Sequence, residues 1–331
     1  MSDVKRILVI KLSALGDLFH AVPVVHLLSK QYGCKIDWVT QPEYTELVAC
    51  HTDVDRVIPF PRKGGMEDSK TFLRQLRIRK YDLALDLQGL TKSGLVLGLC
   101  RSERKIGSSH PREVAKVFAN ERPKTKVTSL HAMDVLFDSL RHLGIETQPV
   151  EYPLDFPPGP DLPRGKCPII ALAPKSRWPA KDWPEANFIK LGERLIQEQD
   201  ADLWILGGPE NEKLGDRMQA ALGVKATNLC GKHPLLSLGS LLKQVKCLVS
   251  NDSGPMHFAS AVGTPLVALF GPTDPSKTGP WGAGHCVIRP KPGAGGYPDH
   301  RSYKNGDTQF ISSISVEDVF LGVQKQLGLE A

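Results

Sequence analysis

The 331-residue chain contains no uninterrupted apolar run close to the roughly 20 residues that a membrane-spanning helix needs. Its first apolar stretch is short and ends in Lys11, unlike a secretory leader, so the expected location is cytoplasmic. Cysteine is scarce and scattered. The seven (Cys34, Cys50, Cys100, Cys167, Cys230, Cys247, Cys286) include no C-x-x-C pair, which removes the usual patterns of structural zinc and dithiol redox chemistry. The fingerprint G-x-G-x-x-G is missing after the first strand and G-x-x-x-x-G-K-[ST] occurs nowhere, so a nicotinamide enzyme and a P-loop ATPase are disfavoured. H-E-x-x-H and G-x-S-x-G are missing too, and with them the commonest zinc-protease and serine-hydrolase signatures.

What is there has the composition of a globular protein long enough for two domains: 41% hydrophobic, 24% charged, mean hydropathy −0.20. The net charge of +6 is unevenly placed. From Arg62 to Lys126 stand 16 Lys and Arg against 7 Asp and Glu, about +9, which leaves the remainder slightly acidic. Such a patch either meets an anionic partner (nucleic acid, a phosphorylated saccharide, an acidic membrane face) or is a solvated basic surface. No basic stretch is interleaved with aromatics, which argues against nucleic acid.

Short β-rich runs alternate with helical stretches from the start, the pattern of a parallel sheet wrapped by helices. RILVIKL (Arg6–Leu12), KIDWVTQ (Lys35–Gln41), DRVIPF (Asp55–Phe60) and YDLALDLQG (Tyr81–Gly89) read as strands. DLFHAVPVVHLLSKQY and SLHAMDVLFDSLRHLG, the latter closing on Gly144, read as helices. Tyr152–Pro168 then holds six prolines and two glycines, as an interdomain linker does. The alternation restarts with PIIALAP, ADLWILGG (Ala201–Gly208), ATNLCG, CLVSND (Cys247–Asp252) and PLVALFG (Pro265–Gly271). The expected class is α/β. A Rossmann-like domain spans 1–151, a linker 152–168 and a second Rossmann-like domain 169–331, their parallel sheets facing across a cleft, with the final helix free to pack back on the first domain.

Ligands of such sheets bind beyond the carboxyl ends of the strands, so the turns there are the candidate sites. The first, SALGDLFHAVP (Ser13–Pro23), turns from strand to helix through a glycine, as a phosphate cradle does, yet carries Asp17. A carboxylate in a first helical turn is favoured by the helix dipole by a few tenths to about 1 kcal/mol and is kept ionised. In SNDSGPMHFASAVGTPLVALFGPTDP (Ser250–Pro275), a polar turn, Asn251–Gly254, precedes a helix opened by Pro255. Its free N–H groups make an anion site, unless Asp252 and Ser253 merely cap the helix. APKSRWPAKDWP (Ala173–Pro184) adds Ser176 and Lys181, and GGPEN (Gly207–Asn211) adds glycines that let a backbone approach a ligand. Three such turns at neighbouring strand ends favour a diphosphate-containing ligand in the second domain. Around them, Trp178, Trp183 and Trp204 either line an adenine slot or pack, and Glu212 stands where a ribose or adenine could be met. His20, one helical turn after Asp17, either orients that carboxylate or the acceptor, or packs. Asp53-Val54-Asp55 has the spacing of a cation site but stands before a strand in the first half, as a surface turn would.

KLSALGDLFHAVP, SRWPAKDWPE and NDSGPMHFASAVGTPLVALFGPTDP, in that order along nearly the whole chain, resemble glycosyltransferase family 9, the ADP-heptose:lipopolysaccharide heptosyltransferases. Within the family, LDLQGLTKSGL (Leu85–Leu95) and HPREVAKVFAN (His110–Asn120) look most like heptosyltransferase I, although SRWPA stands where a threonine pair is expected. The resemblance implies a GT-B fold, an inverting transfer, an acceptor domain first and a sugar-nucleotide domain second. It implies Asp17 as general base. It places Ser176, Arg177, Lys181, Asp252, Ser253, Gly254 and His257 on the donor, joined there by Gly207 and Glu212 from the loop reading. Lys92 and Arg112 lie in matching stretches on the acceptor side. Lys11, Ser13, His20, Arg62 and Lys63 join them by charge and position, for the carboxylates and phosphates of a Kdo-lipid A acceptor.

A hydroxyl attacking an anomeric carbon needs a carboxylate to take its proton and positive groups for the departing diphosphate. ADP already leaves as a stabilised anion, so no metal is expected to be obligatory, Mg2+ being at most stimulatory. The expected state is a monomer or weak dimer in peripheral contact with an anionic inner-membrane face. The alternatives left open are another family 9 acceptor (a later core heptose or a protein), a GT-B-like sugar-nucleotide epimerase, and a non-catalytic binder.

Overall fold

Two sheets account for every strand that the apolar runs predict. In the computed structural model, which describes residues 4–112, 114–124, 131–160, 162, 167–282, 284–291 and 309–329, the chain divides into two compact units, Met1–Asp155 and Phe156–Ala331. In the first, Ile7–Ile10 (β1), Ile36–Thr40 (β2), Val54–Pro59 (β3), Tyr81–Asp86 (β4) and Ser102–Ile106 (β5) run parallel in the order β3-β2-β1-β4-β5. Register is set by buried partners: Ile7 lies beside Ile36 on one side and Leu83 on the other. In the second, Ile169–Ala173 (β6), Asp202–Ile205 (β7), Ala226–Asn228 (β8), Cys247–Asn251 (β9), Leu266–Leu269 (β10) and Cys286–Ile288 (β11) run parallel in the order β11-β10-β9-β6-β7-β8.

The central strands β1, β6, β9 and β10 are buried along their whole length, as parallel strands covered on both faces must be. The two strands that apolar runs do not predict, β5 and β11, are sheet edges. β5 reads SERKI and keeps only Ile106 fully buried, because an edge strand is half solvated and protected by charge.

The unit boundary falls inside the proline-rich stretch. Its first residues stay with the first unit: Leu154 bridges His51, and the Asp155 N–H donates to Cys50 O at 2.8 Å. Phe156 belongs to the second, packed on Phe258 (centroids 5.7 Å apart) and over Gly239, where a Cβ would come within 2.5 Å of its ring. Residues 161 and 163–166 of the predicted linker, and Ser129 and Leu130 of the predicted helix that is observed as Ala132–His142, lie outside the described residues. The last helix, Val316–Leu327, buries Val319, Phe320 and Val323 in the second unit's core beside Ile170, Phe188 and Val267.

Sheet order reverses between β1 and β4 in one unit and between β6 and β9 in the other. Each unit therefore has one switch point, where the turns after two neighbouring strands diverge and leave room for a ligand.

Candidate active site

At the first switch point, β1 runs through Lys11–Ala14 into the helix Leu15–Tyr32. Ala14 has no side chain with which to cap that helix. Asp17 does it instead, reaching back so that its Oδ2 accepts the Ala14 N–H at 2.9 Å. The carboxylate is partly buried, and its Oδ1 makes no hydrogen bond among the described residues. One oxygen fixed and one open is the arrangement that a proton acceptor needs.

The turn is braced from below and beside. Lys11 is 6% exposed and donates from Nζ to Leu87 O at 3.0 Å. Burial pushes its ammonium below the ordinary lysine range, against the pull of Asp17 and Asp86. Asp86, at the end of β4, is pushed upward by burial, against hydrogen bonds from the Gly89 and Gln88 N–H groups and Ser93 Oγ and the charge of Lys11. Lys11 is therefore buried at the turn, held by Leu87 O within the field of Asp17 and Asp86, which corrects the reading of it as a ligand for acceptor phosphates. Of the alternatives left open for His20, packing is the one seen here: it is 3% exposed, its ring edge-on against His131 at 5.6 Å.

The remaining acceptor-side residues ring the same edge of the sheet. Ser13 donates its N–H to Gln88 Oε1 at 3.1 Å. Arg62 and Lys63 follow β3 and line a pocket of 670 Å³ whose floor includes Pro42, Pro59, Pro61 and Phe72. Lys92 is exposed on the first turn of the helix Thr91–Leu99, and exposed Arg112 is tied by its N–H to Gly89 O at 2.8 Å, in the turn that follows β4. Asp53 and Asp55 do not form a cation site. Asp53 sits 2.7 Å from His26 Nδ1 and Asp55 2.6 Å from Arg79. Among the described residues no group of three or more His, Cys, Asp and Glu is placed to hold a metal.

At the second switch point the helix Gly254–Val262 follows β9. Its N-cap, Ser253, is extended (φ −154°) and caps nothing; its Oγ lies 3.3 Å from Ser250 Oγ. Neither Asp252 nor Ser253 is a helix cap, so that alternative is set aside and the helix keeps an open, anion-accepting N-terminus. Asp252, 6% exposed, instead accepts Lys181 Nζ at 2.6 Å and Thr273 Oγ1 at 2.7 Å on the same oxygen. His257 is buried on the helix's first turns. Lys181 Nζ stands 5.9 Å from the centroid of the Trp178 ring, at the outer limit of a cation–π contact.

The loop carrying Lys181 is organised by Asp182, which the sequence reading missed. Its Oδ1 accepts both the N–H and Oγ of Ser176 at 2.8 Å, and its Oδ2 receives Lys175 Nζ at 3.0 Å. The Ser176 hydroxyl also donates to Trp178 O at 2.8 Å, so in this structure it shapes the loop. Buried Asn251, also missed, joins the two strand ends, donating to Pro174 O at 2.9 Å and accepting the Trp183 N–H at 3.1 Å. Trp183 is 1% exposed and bonded to Ile314 O, and Trp204 lies inside β7 at 3%, so both pack and neither lines an adenine slot. Arg177 is exposed. Gly207 abuts Asn211 and Cys230, each within 3.0 Å of where a Cβ would stand, and exposed Glu212 opens the helix Glu212–Leu222. In the sequence, Thr273 was in plain view in FGPTDP and Asp182 in AKDW, but nothing local marks which polar residue of a loop holds the others.

Two all-parallel Rossmann-like units, each with a polar switch point, define a GT-B-fold protein. Residues 70–294 match the model of glycosyltransferase family 9 (heptosyltransferase), and the chain belongs to that family. It is 28% identical over 303 residues to lipopolysaccharide heptosyltransferase 1 of Pseudomonas aeruginosa, covering 84% of this chain and 81% of that one, in keeping with the likeness to heptosyltransferase I. Among solved structures it is similar to Escherichia coli heptosyltransferase WaaC with ADP (TM-score 0.80, 23% identity, 97% and 99% covered). It is similar also to the family 9 transferase of Veillonella parvula (TM-score 0.86, 22% identity, 98% of each covered).

Proposed function

We propose that the chain moves a heptose from ADP-heptose to the Kdo-bearing inner core of lipopolysaccharide with inversion at the anomeric carbon. The acceptor oxygen bonds to that carbon as the bond to the diphosphate breaks, and the acceptor's proton passes to Asp17 Oδ1. ADP departs toward Lys181 and the N–H groups at the start of the Gly254–Val262 helix, each charge-assisted bond contributing about 1.5–3 kcal/mol. Lys181 must turn from Asp252 to the diphosphate, which frees Asp252 for sugar hydroxyls. Because ADP leaves as a stabilised anion, the reaction needs no metal.

Arg62 and Lys63, with the pocket they line, and Lys92 with Arg112 receive the acceptor's acidic groups. Beside the latter pair, Leu95, Leu99, Val114 and Val117 are exposed apolar side chains, with Lys116 among them. A basic and apolar face of this kind suits contact with an anionic membrane that carries the acceptor, each basic residue adding roughly 1 kcal/mol near the surface. Among the described residues no helix is long and apolar enough to cross a membrane.

The observation that carries the reading is the pairing, in a family 9 chain, of an oriented carboxylate at one switch point with a cation and an open helix end at the other. ADP release from ADP-heptose, measured with and without Kdo-lipid A in the presence of EDTA, tests it. Release is expected only with the acceptor. Equal release without it, or consumption of a UDP-sugar alone, overturns the assignment.

A further inference from the structure

We propose that Gln88 is a positioning residue for the base, holding Asp17 through the backbone of the turn after β1. The inference rests on the reading of Asp17 as the base and asks what keeps that carboxylate where it is. Among the described residues Asp17 grips one group, the Ala14 N–H, so it is placed no better than the turn that carries Ala14.

The turn's N–H groups can be followed in order. Lys11 donates to Val39 O at 3.1 Å, Leu12 and Ser13 both donate to Gln88 Oε1 at 3.0 and 3.1 Å, and Ala14 donates to Asp17. Two of the four thus end on a single side chain from the far strand of the switch point. A carboxamide oxygen has two lone pairs, and two converging N–H donors identify this atom as the oxygen.

Gln88 is itself held. Its N–H and that of Gly89 donate to Asp86 Oδ1 at 2.9 and 3.0 Å, and Asp86 Oδ2 takes Ser93 Oγ at 3.0 Å. Gly89 has φ +72°, and a Cβ there would press within 2.9 Å of Ser108. Leu87, one residue earlier, donates to Ile10 O at 3.0 Å and accepts Lys11 Nζ at 3.0 Å. Hydrogen bonds therefore run without a gap from Asp86 through Gln88 to Leu12, Ser13 and the N-terminus that Asp17 caps.

Gln88 is only partly buried, so water can satisfy the Leu12 and Ser13 N–H groups when its oxygen is removed. The fold then survives while the turn gains freedom. A displacement of the base by about 1 Å is enough to cost about 100-fold in rate.

The test uses the whole chain with ADP-heptose and Kdo-lipid A, and the variants Gln88→Leu, Gln88→Asn and Gln88→Glu. Leucine offers no acceptor, asparagine keeps the amide but is one methylene too short, and glutamate keeps both length and acceptor oxygen. Gln88→Leu and Gln88→Asn should lose about 10- to 100-fold in kcat with donor Kd within about twofold, while Gln88→Glu recovers most of the loss. The inference is overturned by wild-type kcat in Gln88→Leu, by equal loss in all three variants, or by donor affinity falling in step with kcat. Wild-type turnover in Asp17→Asn would instead remove the base reading on which it rests, whereas an inactive Asp17→Asn beside a fully active Gln88→Leu removes this inference alone.

Discussion

Two strand-to-helix turns at the switch points of two similar sheets end in opposite ways. After β1, the helix N-terminus is closed by its own residue, Asp17, bonded to the Ala14 N–H. After β9, the N-cap Ser253 turns aside and the helix is left open, with Lys181 nearby on Asp252. The same dipole acts at both. Where a carboxylate fills the end, the turn presents a negative group; where nothing fills it, the turn attracts one. On the proposed reading, capping and not topology decides which unit supplies a base and which holds a diphosphate.

Of the changes to the open turn, removing its cation should break this contrast most. Lys181→Ala is expected to lower kcat/KM for ADP-heptose about 10²- to 10³-fold, with donor affinity falling as well, measured by steady-state ADP release and calorimetry. An unchanged donor affinity would detach Lys181 from the diphosphate.

Acid should separate the units next. His51 is 1% exposed in the first unit, with Nε2 on Val22 O at 3.0 Å and Nδ1 accepting the Asp53 N–H at 3.1 Å, so its neutral form is the one that fits. Burial lowers it to about 4; Val22 O and Asp53 pull it upward, while His26 and Lys35 push it down. The folded state thus binds this proton less readily than the unfolded chain. Its stabilisation is complete above pH 6.5 and is lost as pH falls toward 4, by roughly 3 kcal/mol in all. Thermal melts across that range should show a steep acid loss that His51→Gln flattens; parallel curves would contradict it.

The smallest effect sharpens the comparison by making the open turn resemble the closed one. Ser253→Asp supplies a capping carboxylate, so stability should rise by about 0.5–1 kcal/mol while KM for the donor rises about tenfold. Denaturant titration and kinetics on the same protein measure both. A variant that gains stability and keeps its KM would mean that this helix end does not bind the donor.

Much of this was legible in the sequence because central parallel strands are continuous apolar runs and their turns are glycine-rich. β5 escaped because that edge strand trades apolar residues for charge, and SERKI has no period to read; β11 escaped because CVI is only three residues long, too short a run to show a period. Asp17, Lys181 and Asp252 stood out as polar residues just past apolar runs. Lys11 stood in the same stretch and was misplaced, and His20 could not be decided, because exposure depends on what packs above a residue and not on its own chemistry. Gln88 and Asn251 were invisible as organisers, since their partners lie on other turns: Gln88 meets residues 75 and 76 positions away, and Asn251 meets residues 68 and 77 away. Asp182 holds residues of its own loop, six and seven positions back, but no periodic pattern marks such a contact.

The central claim is that the first turn supplies the base and the second holds the donor. It is tested most directly by measuring ADP-heptose affinity and turnover together in Asp17→Asn. The account predicts affinity within about twofold of wild type and turnover lower by at least about 10³-fold. Turnover near wild type, or affinity lost along with it, would contradict the division of labour between the two turns.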